Sequence, residues 1–273
     1  MKEDAIVKTR QQKMQGKKGK DRIIFALDTD DIDKAIGWVR KLTGHVGGFK
    51  IGFELQQTML VSLLVAPTWV GATRYLMKVR ELYHLLNGQI FWDCKLDDIP
   101  KTVAGASKAV ARLEALMFNF HCSAGKASIK SAVENKGNLL ALGVTVLTTT
   151  KNKDCVSIFG SGAILKVLQF VGYLREAGAD GVICSAQEAL AIRDKPDFDE
   201  LIIVAPGIRP AVKNAEDGVK QDDQERVLTP SEAIRAGIDF PVIGRPISEA
   251  PDPVAAADAI AAEIDETLDR MAA

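Results

Sequence analysis

The sequence predicts an α/β fold, a single-domain (β/α)8 TIM barrel, and three observations carry that expectation. Eight short β-rich runs, at residues 23–27, 48–51, 89–94, 115–120, 139–147, 181–184, 201–205 and 241–243, alternate with longer stretches whose apolar residues recur at helical spacing. Strand–helix alternation demands parallel strands joined by crossovers, and eight such units in about 250 residues is the number that closes a barrel. The rival architecture, an open doubly wound sheet, calls for a G-x-G-x-x-G turn after its first strand. Here that place reads Leu27-Asp28-Thr29-Asp30.

Taken in order, residues 1–20 hold seven basic residues and few apolar ones. They are expected to form a basic N-terminal extension, a mobile or loosely docked tail, ahead of a barrel catalytic domain over residues 21–273. The first strand, Ile23-Ile24-Phe25-Ala26-Leu27, is apolar throughout, as a strand buried on both faces must be. Helical spacing and cap-like starts mark residues 32–42, 102–113, 163–177, 188–193 and 231–236. Residues 53–88, between the second and third strands, exceed an ordinary connection and include the apolar 59–70 stretch. That insertion is expected to pack on the barrel or to extend a dimer contact, and nothing in it suggests chemistry.

Composition narrows the function classes. The chain has 273 residues, 47% hydrophobic and 26% charged, which is ordinary globular usage and sets aside disordered and fibrous architectures. A net charge of -1 supplies no global field for nucleic acid or an anionic membrane, so neither is expected as a partner. The longest nearly apolar run, residues 59–70, is too short to cross a bilayer, and the N-terminus lacks the pattern of a secretory signal, so the cytoplasm is expected. Cys94, Cys122, Cys155 and Cys184 lie about thirty residues apart without C-x-x-C spacing and are expected to be reduced packing residues.

Active sites of such barrels lie at the C-terminal ends of the strands, and here those ends are polar. The third strand runs Phe91-Trp92-Asp93-Cys94-Lys95-Leu96-Asp97-Asp98-Ile99-Pro100. Alternation puts Asp93 and Lys95 on one face and Cys94 on the other, so an outward Cys94 aims both charges into the barrel mouth. Asp28 ends the first strand and Lys50 the second, within Phe49-Lys50-Ile51-Gly52, where a cation must find a partner or lose its charge. Asp28 and Asp98 each also suit a helix N-cap, and Asp93 with Lys95 also suits a buried ion pair. Those alternatives stay open at this level.

A second cluster follows strands seven and eight, the recurrent phosphate position of these barrels: Pro206-Gly207-Ile208-Arg209 and Gly244-Arg245-Pro246. Glycine lets backbone N–H groups approach an anion, and arginine offers a two-pronged donor. Residues 210–226 are polar and far longer than the ~2–6 residues usual for such connections, which points to a lid.

Ala26-Leu27-Asp28, Phe49-Lys50-Ile51-Gly52 and the D-x-K-x-x-D-I-P-x-T-V run from Asp93 to Val103 together resemble the orotidine 5′-phosphate decarboxylase family. The later landmarks fall in family order: His121-Cys122-Ser123, Val146-Leu147-Thr148, Pro206-Gly207-Ile208-Arg209 and Ile243-Gly244-Arg245-Pro246. The resemblance implies decarboxylation of orotidine 5′-phosphate to UMP and CO2 in pyrimidine biosynthesis, with no metal and no cofactor. It implies an alternating network of Lys50, Asp93, Lys95 and Asp98, with Lys95 as proton donor and Asp28 and Lys50 holding the ribose. Asp98, Ile99 and Thr102 are implied to reach into a neighbouring subunit's site, which requires a homodimer. Thr148 is implied to contact the pyrimidine, Arg245 with the adjacent backbone at Gly244 to hold the phosphate, and Gln224 to bridge phosphate and base, with Gln221 as its rival. Arg209 is expected beside the phosphate from its place after strand seven. His121 and Cys122 receive no catalytic role.

The physical logic runs alongside. Loss of CO2 leaves negative charge on a ring carbon, so a fixed ammonium there binds the transition state more strongly than the substrate. Two rivals remain: a Mg2+-dependent sugar-phosphate decarboxylase or aldol-type synthase of the same superfamily, and a catalytically silent nucleotide-binding barrel. The first needs a carboxylate ligand at the end of strand two, where Lys50 stands.

Overall fold

The computed structural model describes residues 9–210 and 228–273. Eight parallel strands close into a barrel in sequence order: β1 (Ile24–Ala26), β2 (Gly48–Ile51), β3 (Ile90–Leu96), β4 (Met117–His121), β5 (Leu140–Val144), β6 (Gly181–Ile183), β7 (Ile202–Pro206) and β8 (Phe240–Ile243). β1 and β8 complete the ring, with Ile24 opposite Val242 and Phe25 opposite Ile243. Each expected run contains or overlaps its strand. The fifth is shorter than expected, because beyond Val144 the chain leaves the ladder, although Thr145 N–H still donates to Ile183 O at 3.2 Å.

The helices among the described residues begin with α1 (Arg10–Met14), α2 (Gly19–Arg22), α3 (Ile32–Leu42), α4 (Phe53–Leu64), α5 (Trp69–Leu86) and α6 (Pro100–Ala111). They continue with α7 (Lys126–Glu134), α8 (Asn152–Phe159), α9 (Ala163–Ala177), α10 (Ala186–Arg193), α11 (Pro230–Arg235), α12 (Arg245–Ser248) and α13 (Pro253–Ala272). α3 shows how sequence sets one of them. Asp31 caps it by accepting from the N–H groups of Asp33 and Lys34, and Ile32, Ala35, Ile36, Val39 and Leu42 form the buried stripe. No single helix among the described residues is long and apolar enough to cross a membrane. The insertion folds as the pair α4 and α5, whose Leu55, Leu82 and Leu86 are buried in the outer core.

Strand alternation splits the apolar residues into two clusters. Ile24, Ala26, Phe91, Met117, Leu142, Ile202, Val204, Phe240 and Val242 point inward and fill the barrel. Phe25, Phe49, Phe118, Phe120, Val182 and Ile203 point outward against the helices. Burying each large side chain contributes about 1.5–3 kcal/mol, so both faces of every strand help hold the ring.

The N-terminal segment departs from the expected loose tail. Met14 joins the interior cluster, and Lys17 Nζ lies 5.6 Å from the centre of the Phe240 ring. Arg10 bonds Asp239 at 2.9 Å and Lys13 bonds Asp180 at 2.8 Å. Those carboxylates precede β8 and β6 and also accept the N–H groups of Ile203 and Ala141. Residues 10–22 thus cover the N-terminal end of the barrel, opposite the end where the charged residues gather. The reason is electrostatic: two nearly buried loop carboxylates need cations, and the basic segment supplies them alongside Arg193 and Lys136.

Candidate active site

A cavity of about 320 Å3 opens at the C-terminal ends of the strands, floored by Phe91, Val204 and Val242 and walled by the polar strand ends. Asp28, Lys50, Asp93, Lys95, Thr148, Arg209, Gly244 and Arg245 all line it, so eight of the expected positions converge. Gln224 and Gln221 lie outside the described residues, as does most of the expected lid. Its two feet are joined: Ile208 pairs with Leu228, and Arg209 N–H donates to Leu228 O at 2.9 Å.

Cys94 faces outward into the outer core, its thiol donating to Asn119 O at 3.3 Å, and so Asp93 and Lys95 face in. Burial pushes that thiol up to about 11, which leaves it inert. Cys122 and Cys184 are likewise buried and raised, and Cys155 is buried; all four cysteines are free thiols.

The charges are ordered as a chain. Lys50 Nζ lies 2.8 Å from Asp28 Oδ1 and 3.5 Å from Asp93 Oδ2, and Lys95 Nζ lies 2.6 Å from Asp93 Oδ1. Asp28 is therefore an ion-pair partner; the cap of the following helix is Asp31. Burial of Asp93 by itself would raise its pKa, but Lys50, Lys95 and the hydrogen bonds from Lys95 and Asn119 outweigh it and hold the carboxyl below the usual range. Gly52 lies close against this network, since a Cβ there would stand 3.1 Å from Lys50 Nζ and would press on the ammonium. Lys95 Nζ also lies 5.3 Å from the centre of the Phe53 ring, at the start of α4.

Two features were not anticipated. Lys95 has φ 43°, in the left-handed region that costs a non-glycine residue roughly 1–3 kcal/mol, and the β3–β4 register shifts between Trp92 and Leu96. Asn119, fully buried on β4, donates from Nδ2 to Asp93 Oδ1 at 2.6 Å and accepts at Oδ1 from Lys95 N–H at 2.7 Å. A signal for it existed: Asn119 is the one polar residue in Met117-Phe118-Asn119-Phe120, and alternation places it on the inner face with Met117.

Asp98, Ile99 and Thr102 do not join this cavity; all three are exposed. Asp98 Oδ1 accepts from Ile99 N–H at 2.6 Å, yet the residue capping α6 is Ile99, so Asp98 is not that helix's N-cap. Among the described residues the carboxylate paired with Lys95 is Asp93, and Asp98 of the same chain lies away from the cavity. His121 does not line the cavity, and burial lowers its pKa against the opposing pull of Asp97.

At the other wall, Gly207 has φ 81°, a conformation suited to glycine, and turns the chain toward Arg209. Gly244 lies against Ala26 at the end of β1, and Arg245, which follows it, lines the same cavity as Asp28. The cavity thus has a charged floor edge on β1–β3 and an arginine-bearing rim after β7 and β8.

Comparison with known proteins bears on the family of the chain. The chain is 39% identical over 259 residues to the orotidine 5′-phosphate decarboxylase of Moorella thermoacetica, covering 90% of this chain and 93% of that protein. It is 37% identical over 262 residues to that of Syntrophus aciditrophicus, covering 92% and 96%. Among solved structures, orotidine 5′-phosphate decarboxylase from Lactobacillus acidophilus superposes with a TM-score of 0.68 at 29% identity, over 89% of this chain and 98% of that one. The family model for orotidine 5′-phosphate decarboxylase / HUMPS matches residues 21–260, and the chain belongs to that family.

Proposed function

We propose that this enzyme converts orotidine 5′-phosphate to UMP and CO2 in pyrimidine biosynthesis, without metal or cofactor, and that Lys95 is the proton donor. The observation that carries the reading is the juxtaposition of the Asp28–Lys50–Asp93–Lys95 chain with the arginine-bearing rim in one cavity sized for a nucleotide.

The bond between the pyrimidine C6 and the carboxylate breaks, and its electron pair stays on C6. The Lys95 ammonium, held by Asp93, faces that developing charge, stabilises it and delivers its proton to C6. Neutral Lys95 then regains a proton from water. Asp93, an anion beside the departing carboxylate, adds electrostatic stress to the ground state as a lesser contribution. Lys50 and Asp28 hold the ribose hydroxyls, Thr148 contacts the base, and Arg245, Arg209 and Gly244 take the 5′-phosphate, with Gln224 bridging phosphate and base. Lys50 stands between Asp28 and Asp93, where its positive charge would repel a divalent cation.

In this reading the protein is a cytoplasmic homodimer in which Asp98, Ile99 and Thr102 complete the partner's site. Their exposure away from their own cavity supports it. The test is a spectrophotometric assay on orotidine 5′-phosphate in the presence of a chelator. Turnover is expected; activity returning only with Mg2+ would favour the sugar-phosphate reading, and silence with tight UMP binding would favour a binding scaffold.

A further inference from the structure

From its two hydrogen bonds, we infer that Asn119 is a positioning residue that clasps the catalytic lysine and its carboxylate together, and that the left-handed turn at Lys95 depends on it. The inference rests on the proposed role of Lys95 and extends it to a residue on the neighbouring strand.

Asn119 is 0% exposed and lies beside the bulge where β3 slips against β4. Its carboxamide is satisfied on both sides: Oδ1 accepts Lys95 N–H at 2.7 Å and Nδ2 donates to Asp93 Oδ1 at 2.6 Å. The reverse orientation would set an oxygen against a carboxylate and an NH2 against an N–H, so the assignment follows from chemistry. The register shift takes Lys95 out of the regular β3–β4 pairing, and its N–H is met by the Asn119 carboxamide oxygen. The side chain therefore stands in for a rung of the ladder. In doing so it holds Lys95 at φ 43° and sets Asp93 so that one oxygen meets Lys95 and the other Lys50. Asn119 does not carry a charge and cannot itself exchange the proton; its effect is on where the ammonium stands.

Two variants separate this role from simple packing. Asn119→Leu removes both bonds at similar volume, and kcat is expected to fall by about 100-fold or more, as small misplacements of catalytic groups do, with KM changed far less. Asn119→Asp keeps the acceptor for Lys95 N–H, and when protonated its hydroxyl can donate to Asp93 as the amide did. Its activity relative to wild type is therefore expected to recover as pH falls and to drop as the new carboxylate ionises beside Asp93, whereas Asn119→Leu shows no such recovery. A crystal structure of Asn119→Asp at high pH is expected to show Asp93 and Lys95 displaced. An Asn119→Leu enzyme with wild-type kcat, a pH-independent loss in Asn119→Asp, or unmoved Asp93 and Lys95 in that crystal structure would each overturn the clasp. Absent turnover by the wild type would instead remove the functional reading, and the crystal structure would still decide the clasp.

Discussion

Lys95 Nζ meets Asp93 Oδ1 at 2.6 Å although a single residue separates them in the chain, because alternation along β3 turns both side chains into the barrel and Cys94 out of it. Replacing Lys95 therefore removes a charged group that sits at the rim of a preformed cavity and outside the packed cores. Lys95→Ala is expected to remain folded by circular dichroism while turnover of orotidine 5′-phosphate falls by several orders of magnitude. Near-normal turnover would remove Lys95 as the donor.

The depressed pKa of Asp93 fixes the sign of a pH effect. A carboxyl held below its unfolded value contributes stability at pH above that value and loses it as pH falls through the folded value. The difference in unfolding free energy between wild type and Asp93→Asn is thus expected to be constant at neutral pH, and still present near pH ~4, where an ordinary Asp is half protonated, before shrinking in stronger acid. Denaturant titrations across that range check it; a difference already lost by pH 5 would contradict the pairing.

A shared site predicts complementation. Asp98→Ala and Lys95→Ala are each expected to be nearly inactive alone. Mixing them in equal amounts, with subunit exchange, should restore about a quarter of wild-type sites, since half the dimers are mixed and each mixed dimer has one intact site. No recovery in a mixture shown to exchange would place Asp98 outside the partner's cavity.

The N-terminal cover makes stability separable from chemistry. Met14→Asp would set a carboxylate into the interior cluster and is expected to cost a few kcal/mol. Its melting temperature should fall while kcat and KM at a permissive temperature stay at wild-type values, because Met14 lies at the end of the barrel away from the cavity. A selective loss of kcat would show the two ends to be coupled.

The ring and its charged end were legible because both follow from period-two alternation. Apolar runs marked the strands, and polar residues at their ends marked the end of the barrel that holds the cavity. Three features escaped. The bulge at Lys95 depends on a side chain from another strand, and nothing local to Asp93-Cys94-Lys95 announces it. Asn119 was visible only as a polar residue on an inward position, a pattern that needs the strand's facing to be interpreted. The docking of residues 10–22 rests on one methionine and ion pairs to Asp180 and Asp239, contacts that leave no periodic trace in a basic segment. Asp98 is the converse: its role was suggested by resemblance, and within one chain it reaches nothing in the cavity.

The seam between β1 and β8 has a consequence for how the molecule is made. Asp28 leaves the ribosome well before Arg245, yet both border one cavity, where Gly244 lies against Ala26. A nascent chain that ends before residue 240 has its ammonium and carboxylate groups but only the Arg209 side of the rim, and exposes the unpaired edges of β1 and β7. Competence therefore arrives abruptly, when the last strand slots into the gap.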